Sequence, residues 1–229
     1  MIVVLDFGSQ YTQLIARRIR ESKVYCEIHP FNVALDKITA LDPKGIILSG
    51  GPASVYQDDA PKVSAELFAL PVPFLGICYG MGVINLHFGG AAARADRREY
   101  GPAQLVIDHD NDLFHGFSKR EPTQVWMSHG DKMTSFPTGW DILAHSDNSP
   151  IASFADPTRR FFGLQFHPEV AHTARGRQVL DNFVFRICAD QPDWTMEHFI
   201  ESSVRKIRQQ VGDGRVLCAL SGGVDSSVA

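Results

Sequence analysis

A cysteine lies between two glycines at the point where a short apolar run ends. The run covers residues 73–77, and Cys78 is followed by Tyr79 and Gly80. A sharp turn from a buried strand into a helix exposes one side chain and points the unpaired N–H groups of the helix start toward it. Those groups favour negative charge. A buried structural cysteine is the alternative, but it would not need flanking glycines. The pattern therefore predicts that Cys78 is a nucleophile.

A cysteine nucleophile needs a base, and the base needs a group that orients it. Among nine histidines, His167 follows an apolar, aromatic segment and is separated from Glu169 by Pro168. Residues i and i+2 of an extended chain face the same side, and proline keeps the backbone extended. The alternative is an ordinary surface pair. The pattern favours His167 as the base and Glu169 as the group that orients it.

The cysteines and histidines do not have the spacing of a metal site. His167-Pro168-Glu169 matches the opening of the zinc deaminase signature, but the P-C-x-x-C that this signature requires is missing from the sequence. The four cysteines are far apart: Cys26, Cys78, Cys188 and Cys218. We therefore expect no metal and no disulfide framework, and free thiols fit a cytoplasmic location.

Two further polar segments follow predicted strands. Residues 49–52 (Ser-Gly-Gly-Pro) form either a simple turn or a loop that faces the site, and residues 128–131 (Ser-His-Gly-Asp) form either a turn or a substrate contact. Parallel α/β sheets bind ligands at the carboxyl ends of their strands. Since residues 49–52 and Cys78 both lie at such ends, the sequence favours a site-facing loop.

Short apolar runs alternate with helical patterns over the first half of the chain, which predicts an α/β fold. We expect a mostly parallel, doubly wound sheet with helices on both faces and an antiparallel portion after it. One predicted helix has Ser9 as its N-cap and runs through residues 14–19, and further predicted helices cover 80–88, 175–189 and the region of 200–211. Predicted strands cover 2–5, 24–28, 45–48, 73–77, 104–107, 123–127, 141–145, 151–154 and 161–166.

The composition is that of an ordinary globular protein, with 44% hydrophobic residues and a net charge of −4. This charge gives no reason to expect a nucleic-acid or membrane partner. The apolar start, residues 1–6, is too short for a signal peptide or a spanning helix.

A polar, proline-containing stretch at 190–193 predicts a domain boundary, with one domain at 1–190 and a second segment at 191–229. The second segment holds an amphipathic linker helix, a predicted strand at 215–220 and a glycine-rich turn at 221–227. The sequence ends two residues later. We therefore expect this segment to be only the beginning of a truncated second domain.

Six segments together resemble the class I glutamine amidotransferases. They are 6–13, 48–52, the turn around Cys78, 98–101, 126–131 and 165–170. Residues 220–227 resemble the phosphate loop of an ATP pyrophosphatase domain, in which backbone N–H groups hold the pyrophosphate of ATP. This loop is not a Walker A motif, because no Gly-Lys-Ser/Thr follows. The ATP-binding residues that the resemblance implies are Ser221, Gly222, Gly223, Val224, Asp225, Ser226 and Ser227.

The resemblance implies a role for each residue of the first domain. Cys78 would attack the side-chain amide of glutamine, and the backbone N–H groups of Gly51 and Tyr79 would hold the oxyanion. His167, oriented by Glu169, would protonate the departing ammonia and then activate water. The substrate-binding residues that the resemblance implies for the far end of glutamine are Ser128, His129 and Gly130.

The resemblance also implies partners. Glutamine hydrolysis would need no cofactor. The ammonia would pass to the second domain, which uses ATP and Mg to convert XMP to GMP. The full-length protein would be a homodimer with no nucleic-acid or membrane partner.

One position departs from the family. The family carries glutamine where this chain has Gly82, and that side chain helps to bind the substrate amide. Loss of one neutral hydrogen bond costs roughly 0.5–1.5 kcal/mol, so we expect weaker glutamine binding. Three alternatives remain open: a non-catalytic module with the same fold, an amidotransferase for another acceptor, and a γ-glutamyl hydrolase.

Overall fold

The computed structural model describes residues 1–119, 121–156, 158, 160–217 and 222–223. Within them, nine strands form one sheet with the order β2-β1-β3-β4-β9-β8-β7-β5-β6. The strands are β1 Ile2–Asp6, β2 Cys26–Pro30, β3 Gly45–Leu48, β4 Phe74–Ile77, β5 Ala91–Ile107, β6 Thr123–Ser135, β7 Asp141–His145, β8 Ser153–Asp156 and β9 Phe161–Leu164.

The helices are α1 Thr12–Glu21, α2 Leu35–Ala40, α3 Tyr79–His87, α4 Gly176–Asp181 and α5 Met196–Val211. A 3₁₀ turn covers Ala65–Ala69, and a π-helical turn covers Asn182–Ile187 directly after α4.

The sheet has a parallel half and an antiparallel half. The pairs within β2-β1-β3-β4-β9 are all parallel, whereas the pairs within β9-β8-β7-β5-β6 are all antiparallel, so the direction changes at β9. All residues of β3 and β4 are buried, as expected for strands that are covered on both faces. This arrangement confirms the predicted α/β fold with an antiparallel portion.

Helices cover both faces of the parallel half. On one face, Ile15 and Ile19 of α1 and Val179 of α4 join a single hydrophobic cluster. On the other face, Ile38 of α2 and Ile84 of α3 belong to a second cluster. Burial of these side chains fixes the sheet in register, and therefore fixes which loops meet at the carboxyl ends of the strands.

Several predicted boundaries were wrong. Ser9 is not the N-cap of α1: the helix begins at Thr12 with Tyr11 as the N-cap, and Ser9 accepts a hydrogen bond from the N–H of Tyr11 in the turn before it. Strand β5 begins at Ala91, far ahead of the predicted 104. The prediction missed this part because residues 94–99 are mostly charged and Gly101 and Pro102 interrupt the pattern before the apolar run at 104–107. Strand β6 continues through 128–131, so that segment is not a turn. The helix predicted for 175–189 is α-helical only to Asp181.

The chain divides into two compact units, the first ending at Asp193 and the second beginning at Trp194. The proposed domain boundary after residue 190 stays a prediction. In the second unit, α5 leaves an apolar stripe exposed; its members are Met196, Phe199, Ile200, Val204 and Ile207. Residues 215–217 of the predicted strand lie outside any strand, and residues 218–220 are outside the described residues. Among the helices of the described part, none is long and apolar enough to cross a membrane.

Candidate active site

The turn between β4 and α3 holds Cys78 in an unusual backbone conformation. Its φ is +54° and its ψ is −105°, a combination that costs a non-glycine residue about 1–3 kcal/mol. The Cys78 N–H donates to the carbonyl of Leu164 on β9 at 2.6 Å. A Cβ at Gly80 would overlap the backbone carbonyl of Leu48 on β3. Close packing of α3 on the sheet therefore depends on this glycine and keeps the strained turn in place.

The sulfur of Cys78 faces a cleft. Its Sγ lies 3.6 Å from the carbonyl oxygen of Ser128 and 4.0 Å from Nε2 of Gln165. Two other thiols have a different environment: burial raises the pKa of Cys26 to about 11 and also raises the pKa of Cys188. A raised pKa favours the protonated, unreactive form of those two thiols. Among Cys26, Cys78 and Cys188, Cys78 is the one that lines the cleft, where a ligand can reach it.

His167 and Glu169 form a buried pair directly behind the cleft. Nδ1 of His167 lies 2.7 Å from Oε1 of Glu169, and Glu169 is fully buried. The backbone of His167 is fixed on both sides, since its N–H donates to the carbonyl of Trp126 and its carbonyl accepts from the hydroxyl of Thr173. The predicted same-face placement of His167 and Glu169 is therefore present in the structure.

The electrostatics of His167 favour its charged form. Burial lowers the pKa of His167, but the negative charge of Glu169 and hydrogen bonds to Cys78 and Glu169 outweigh this effect and raise it to about 10. A carboxylate that accepts a hydrogen bond from an imidazole stabilises the imidazolium form. These interactions favour the imidazolium form of His167 beside Cys78.

Gly50 lies beside both His167 and Cys78. A Cβ at Gly50 would lie 3.1 Å from Cε1 of His167 and 3.7 Å from Cβ of Cys78. On the opposite side, the ring of Tyr11 meets the imidazole edge-on at a centroid distance of 5.1 Å. Residues 49–52 thus form a loop beside Cys78, as the position at a strand end predicts.

The two predicted oxyanion donors lie on adjoining elements. Tyr79 is the first residue of α3, so its N–H has no acceptor within the helix. Gly51 packs against Tyr79, because a Cβ at Gly51 would lie 3.3 Å from Cγ of that ring. Both residues line the cleft that contains Cys78.

The predicted substrate segment, Ser128 to Gly130, lies in the middle of β6 and lines the same cleft. Nδ1 of His129 lies 2.8 Å from the carbonyl of Asp131, and its Nε2 lies 3.1 Å from Oε2 of Glu99. Burial lowers the pKa of His129, while hydrogen bonding to the Asp131 carbonyl and the charge of Glu99 oppose that shift.

Gly82 also lines the cleft, one turn into α3. Its bare backbone is covered by Val55, since a Cβ at Gly82 would lie 2.9 Å from Cγ1 of that side chain. Val55 belongs to a loop that is tied to β6: Asp131 accepts hydrogen bonds from the Ser54 hydroxyl at 3.0 Å and from the Val55 N–H at 3.2 Å.

The structure thus brings together nine of the sequence-predicted site residues. Eight line one cleft and Glu169 lies behind His167; the eight are Gly51, Cys78, Tyr79, Gly82, Ser128, His129, Gly130 and His167. Of the predicted ATP loop, Gly222 and Gly223 are described, whereas Ser221 and Val224, Asp225, Ser226 and Ser227 lie outside the described residues.

Sequence reasoning missed other cleft residues. Gln165 is two residues before His167, so the same alternation that paired His167 with Glu169 could have identified it. Arg94 and Arg98, on β5, also line the cleft. Arg98 belongs to the segment 98–101 that resembles the family, but neither arginine was assigned to the cleft, because the start of β5 was missed.

Among the described residues, no group of three or more His, Cys, Asp or Glu side chains is arranged as a metal site. The expectation of metal-free chemistry stays a prediction.

Known proteins resemble this chain in sequence and in fold. Residues 3–187 match the family described as glutamine amidotransferase class-I. A relative named GMP synthase [glutamine-hydrolyzing], from Heliobacterium modesticaldum, is 53% identical over 228 residues, which cover 100% of this chain and 44% of that protein. A relative of the same name from Nitratiruptor sp. is 54% identical over 231 residues, covering 99% and 44%. The chain therefore spans less than half the length of these curated relatives.

Solved structures agree with the sequence relatives. A Thermoplasma acidophilum protein, provisionally described as one component of a GMP synthase, matches with a TM-score of 0.71 and 30% identity over 91% of this chain and 96% of its own. A glutamine amidotransferase from Thermotoga maritima matches with a TM-score of 0.60 and 19% identity over 91% of each chain, which is a likeness of fold. From the match over residues 3–187, the chain belongs to the class I glutamine amidotransferase family.

Proposed function

We propose that this chain hydrolyses L-glutamine to glutamate and ammonia through a thioester on Cys78. The observation that carries the proposal is the placement of the Cys78 thiol, on a strained turn, beside a buried imidazole that is itself hydrogen-bonded to a buried carboxylate. A nucleophile, a base and an orienting group in this order are the parts that acyl transfer needs.

In the first step, the Cys78 thiolate attacks the side-chain amide carbon of glutamine. A C–S bond forms and the carbonyl oxygen becomes an oxyanion. The imidazolium of His167 then donates its proton to the amide nitrogen, the C–N bond breaks, and ammonia leaves. The raised pKa of His167 supports this role, because the proton is already present on the ring at neutral pH.

The oxyanion would be held by the backbone N–H groups of Gly51 and Tyr79. Their support is the free N–H at the start of α3 and the packing of Gly51 against Tyr79. One oxyanion donor is typically worth about 10²–10³ in rate.

In the second step, neutral His167 takes a proton from water, and the resulting hydroxide attacks the thioester. The C–S bond breaks, glutamate forms as its acid and then loses its proton, and the Cys78 thiolate and the His167 imidazolium are restored. Glu169 keeps Nδ1 of His167 in its N–H form throughout, through the 2.7 Å contact.

Recognition of glutamine would involve Ser128, His129 and Gly130 at its amino and carboxylate end. Support comes from the position of this segment in the cleft, with the Ser128 carbonyl next to the Cys78 sulfur. Gly82 supplies no side-chain hydrogen bond, so we propose a modest loss of affinity for glutamine relative to family members with glutamine at this position.

We further propose that the ammonia serves the amination of XMP to GMP, with ATP and Mg acting in the rest of a longer protein. The support is the name of the relatives and their length, of which this chain spans 44%. In this proposal residues 1–190 are the amidotransferase domain and 191–229 begin the synthetase domain. The exposed apolar stripe of α5 supports that division, because such a surface is normally buried against further structure.

Location and assembly complete the proposal. The free thiols of Cys26, Cys78 and Cys188 support a reducing, cytoplasmic location. A homodimer of the full-length protein stays a prediction.

A glutamine-like diazo-ketone and an assay for released ammonia test the hydrolysis. The reagent should add once, on Cys78, and Cys78→Ala should lose both labelling and ammonia release. Cys26→Ala is the matched control, since that thiol is buried and its pKa is raised; it should keep both. Labelling of another cysteine, or ammonia release by Cys78→Ala, would overturn the proposal.

A further inference from the structure

We propose that Glu99 is a positioning residue for glutamine binding, which acts through His129 on the cleft segment of β6. The inference rests on the proposed function, because it assigns a role to a residue beside that site. Glu99 and His129 are direct cross-strand partners in the β5–β6 pairing. Side chains of such a pair share one face of the sheet and lie close enough to contact.

The first step of the argument is the donor pattern of the His129 ring. The carbonyl of Asp131 can only accept a hydrogen bond, so Nδ1 of His129 must carry a hydrogen. Nε2 then faces Oε2 of Glu99 at 3.1 Å. Without a proton between them, the Nε2 lone pair would face a carboxylate oxygen, so the geometry points to one shared proton in this contact.

The second step is the number of elements that meet at the Glu99 carboxylate. Its Oε2 accepts a hydrogen bond from the Ser149 hydroxyl at 2.8 Å, and its Oε1 lies 3.4 Å from the Ser146 hydroxyl. These serines belong to the turn between β7 and β8. Glu99 therefore connects β5, β6 and this turn, and its side chain is only 14% exposed.

The third step links this network to the nucleophile. His129 is held by Glu99 on one ring nitrogen and by the Asp131 carbonyl on the other, which fixes the strand on both sides of Gly130. The residue before His129 presents its carbonyl to the Cys78 sulfur at 3.6 Å. A shift of His129 would therefore move the wall of the cleft that faces the substrate.

The charge of Glu99 favours protonation of His129, whereas the charge of His167 opposes it. Arg94 and Arg98 add further positive charge to the lining of the same cleft. A residue of this kind should change substrate affinity more than the chemical step, because it touches neither the sulfur nor the His167 ring.

Glutamine hydrolysis by variants of Glu99 tests the inference. Glu99→Ala should raise KM about tenfold to a hundredfold, as expected for the loss of a charge-assisted hydrogen bond, with kcat changed less than about threefold. Glu99→Gln should restore KM to within about threefold of the wild-type value, since its amide can donate to or accept from Nε2. Asp108→Ala is the matched control, because Asp108 forms a histidine pair with His145 outside the cleft; its KM should not change.

Two reagents separate this inference from the proposed function. The wild-type protein must be labelled on Cys78 by a glutamine-like diazo-ketone; failure here overturns the proposed function. In Glu99→Ala, labelling by the diazo-ketone should need about tenfold or more reagent, whereas iodoacetamide should react with Cys78 at the wild-type rate. An unchanged diazo-ketone dependence, or an equal fall for both reagents, would overturn the role of Glu99.

A third variant covers the case in which Glu99→Ala does not fold. Glu99→Asp keeps the carboxylate but shortens the side chain by one methylene, which takes it out of reach of Nε2. Its KM should rise at least about fivefold, and the rise should disappear when His129 is also changed to Asn, because coupled residues are not additive. A wild-type KM for Glu99→Asp, or the same rise in both backgrounds, would contradict the inference.

Discussion

Val55 packs against the bare backbone of Gly82, so that a Cβ at Gly82 would lie 2.9 Å from Cγ1 of Val55. The resemblance to the family implies glutamine at this position of the helix, whereas here the valine of a neighbouring loop fills the space. The loop itself is fixed, because Asp131 binds the Ser54 hydroxyl and the Val55 N–H. Any side chain added at Gly82 must therefore move Val55 by a few tenths of an ångström.

Gly82→Gln should lower KM for glutamine by up to about tenfold, the value of one neutral hydrogen bond, with a smaller change in kcat. Gly82→Ala is the matched control, because it displaces Val55 in the same way but adds no amide. Its KM should stay at the wild-type value. Equal KM values for the two variants would show that the amide makes no contact with glutamine.

Two glycines of α3 should differ in their tolerance of alanine. A Cβ at Gly80 meets the backbone carbonyl of Leu48, which cannot rotate away, whereas a Cβ at Gly82 meets a valine side chain. Gly80→Ala should therefore destabilise the fold by about 3 kcal/mol or more, and Gly82→Ala by less than about 1.5 kcal/mol, as helix propensity offsets part of the crowding. Urea unfolding gives both values. Similar midpoints would contradict the close packing of α3 on β3.

The fold and the catalytic set could be predicted because both leave local patterns. β3 and β4 are short apolar runs with glycines close behind them, and His167 and Glu169 are two residues apart on an extended segment. The same alternation could have predicted that Gln165 lines the cleft, since it precedes His167 by two residues on the same face.

Glu99 could not be found in the same way. It meets His129 only because of the β5–β6 register, and that register shifts at an irregularity between Arg94 and Glu99. Such long-range pairing depends on the packing of both strands and not on any local pattern. The charged first half of β5 is a strand because it pairs with β6, so it has no local apolar alternation from which it could be predicted.

Asp131 should matter for the rate of hydrolysis through the loop that it holds. Asp131→Ala removes the acceptors for the Ser54 hydroxyl and the Val55 N–H. The adjoining Gly51 N–H would then be less well placed, and kcat at saturating glutamine should fall about tenfold, a part of the value of one oxyanion donor. Ser54→Ala removes one of the two bonds and should have the smaller effect. A larger loss for Ser54→Ala than for Asp131→Ala would argue against this role.

The raised pKa of His167 should make its contribution to stability depend on pH. Burial lowers this pKa, but the charge of Glu169 and the hydrogen bonds to Cys78 and Glu169 raise it to about 10 in the folded protein. In the unfolded chain it returns to about 6.5. The folded state therefore binds the His167 proton more tightly, and this stabilisation is complete below about pH 6.5 and is lost as the pH rises toward 10.

Urea unfolding of His167→Gln beside the wild-type protein measures this effect, because the titrations of groups that do not contact His167 are common to both proteins and cancel in the difference. The wild-type advantage should be largest near pH 6, with an upper bound of about 5 kcal/mol, and should shrink steadily up to pH 10. His87→Gln is a control of opposite sign, since burial lowers the pKa of His87. Stabilisation from a lowered histidine pKa is lost only as the pH falls below about 6.5, so its difference from wild type should be flat between pH 7 and 10. A constant difference for His167→Gln over the same range would mean that the folded protein does not hold His167 as an imidazolium.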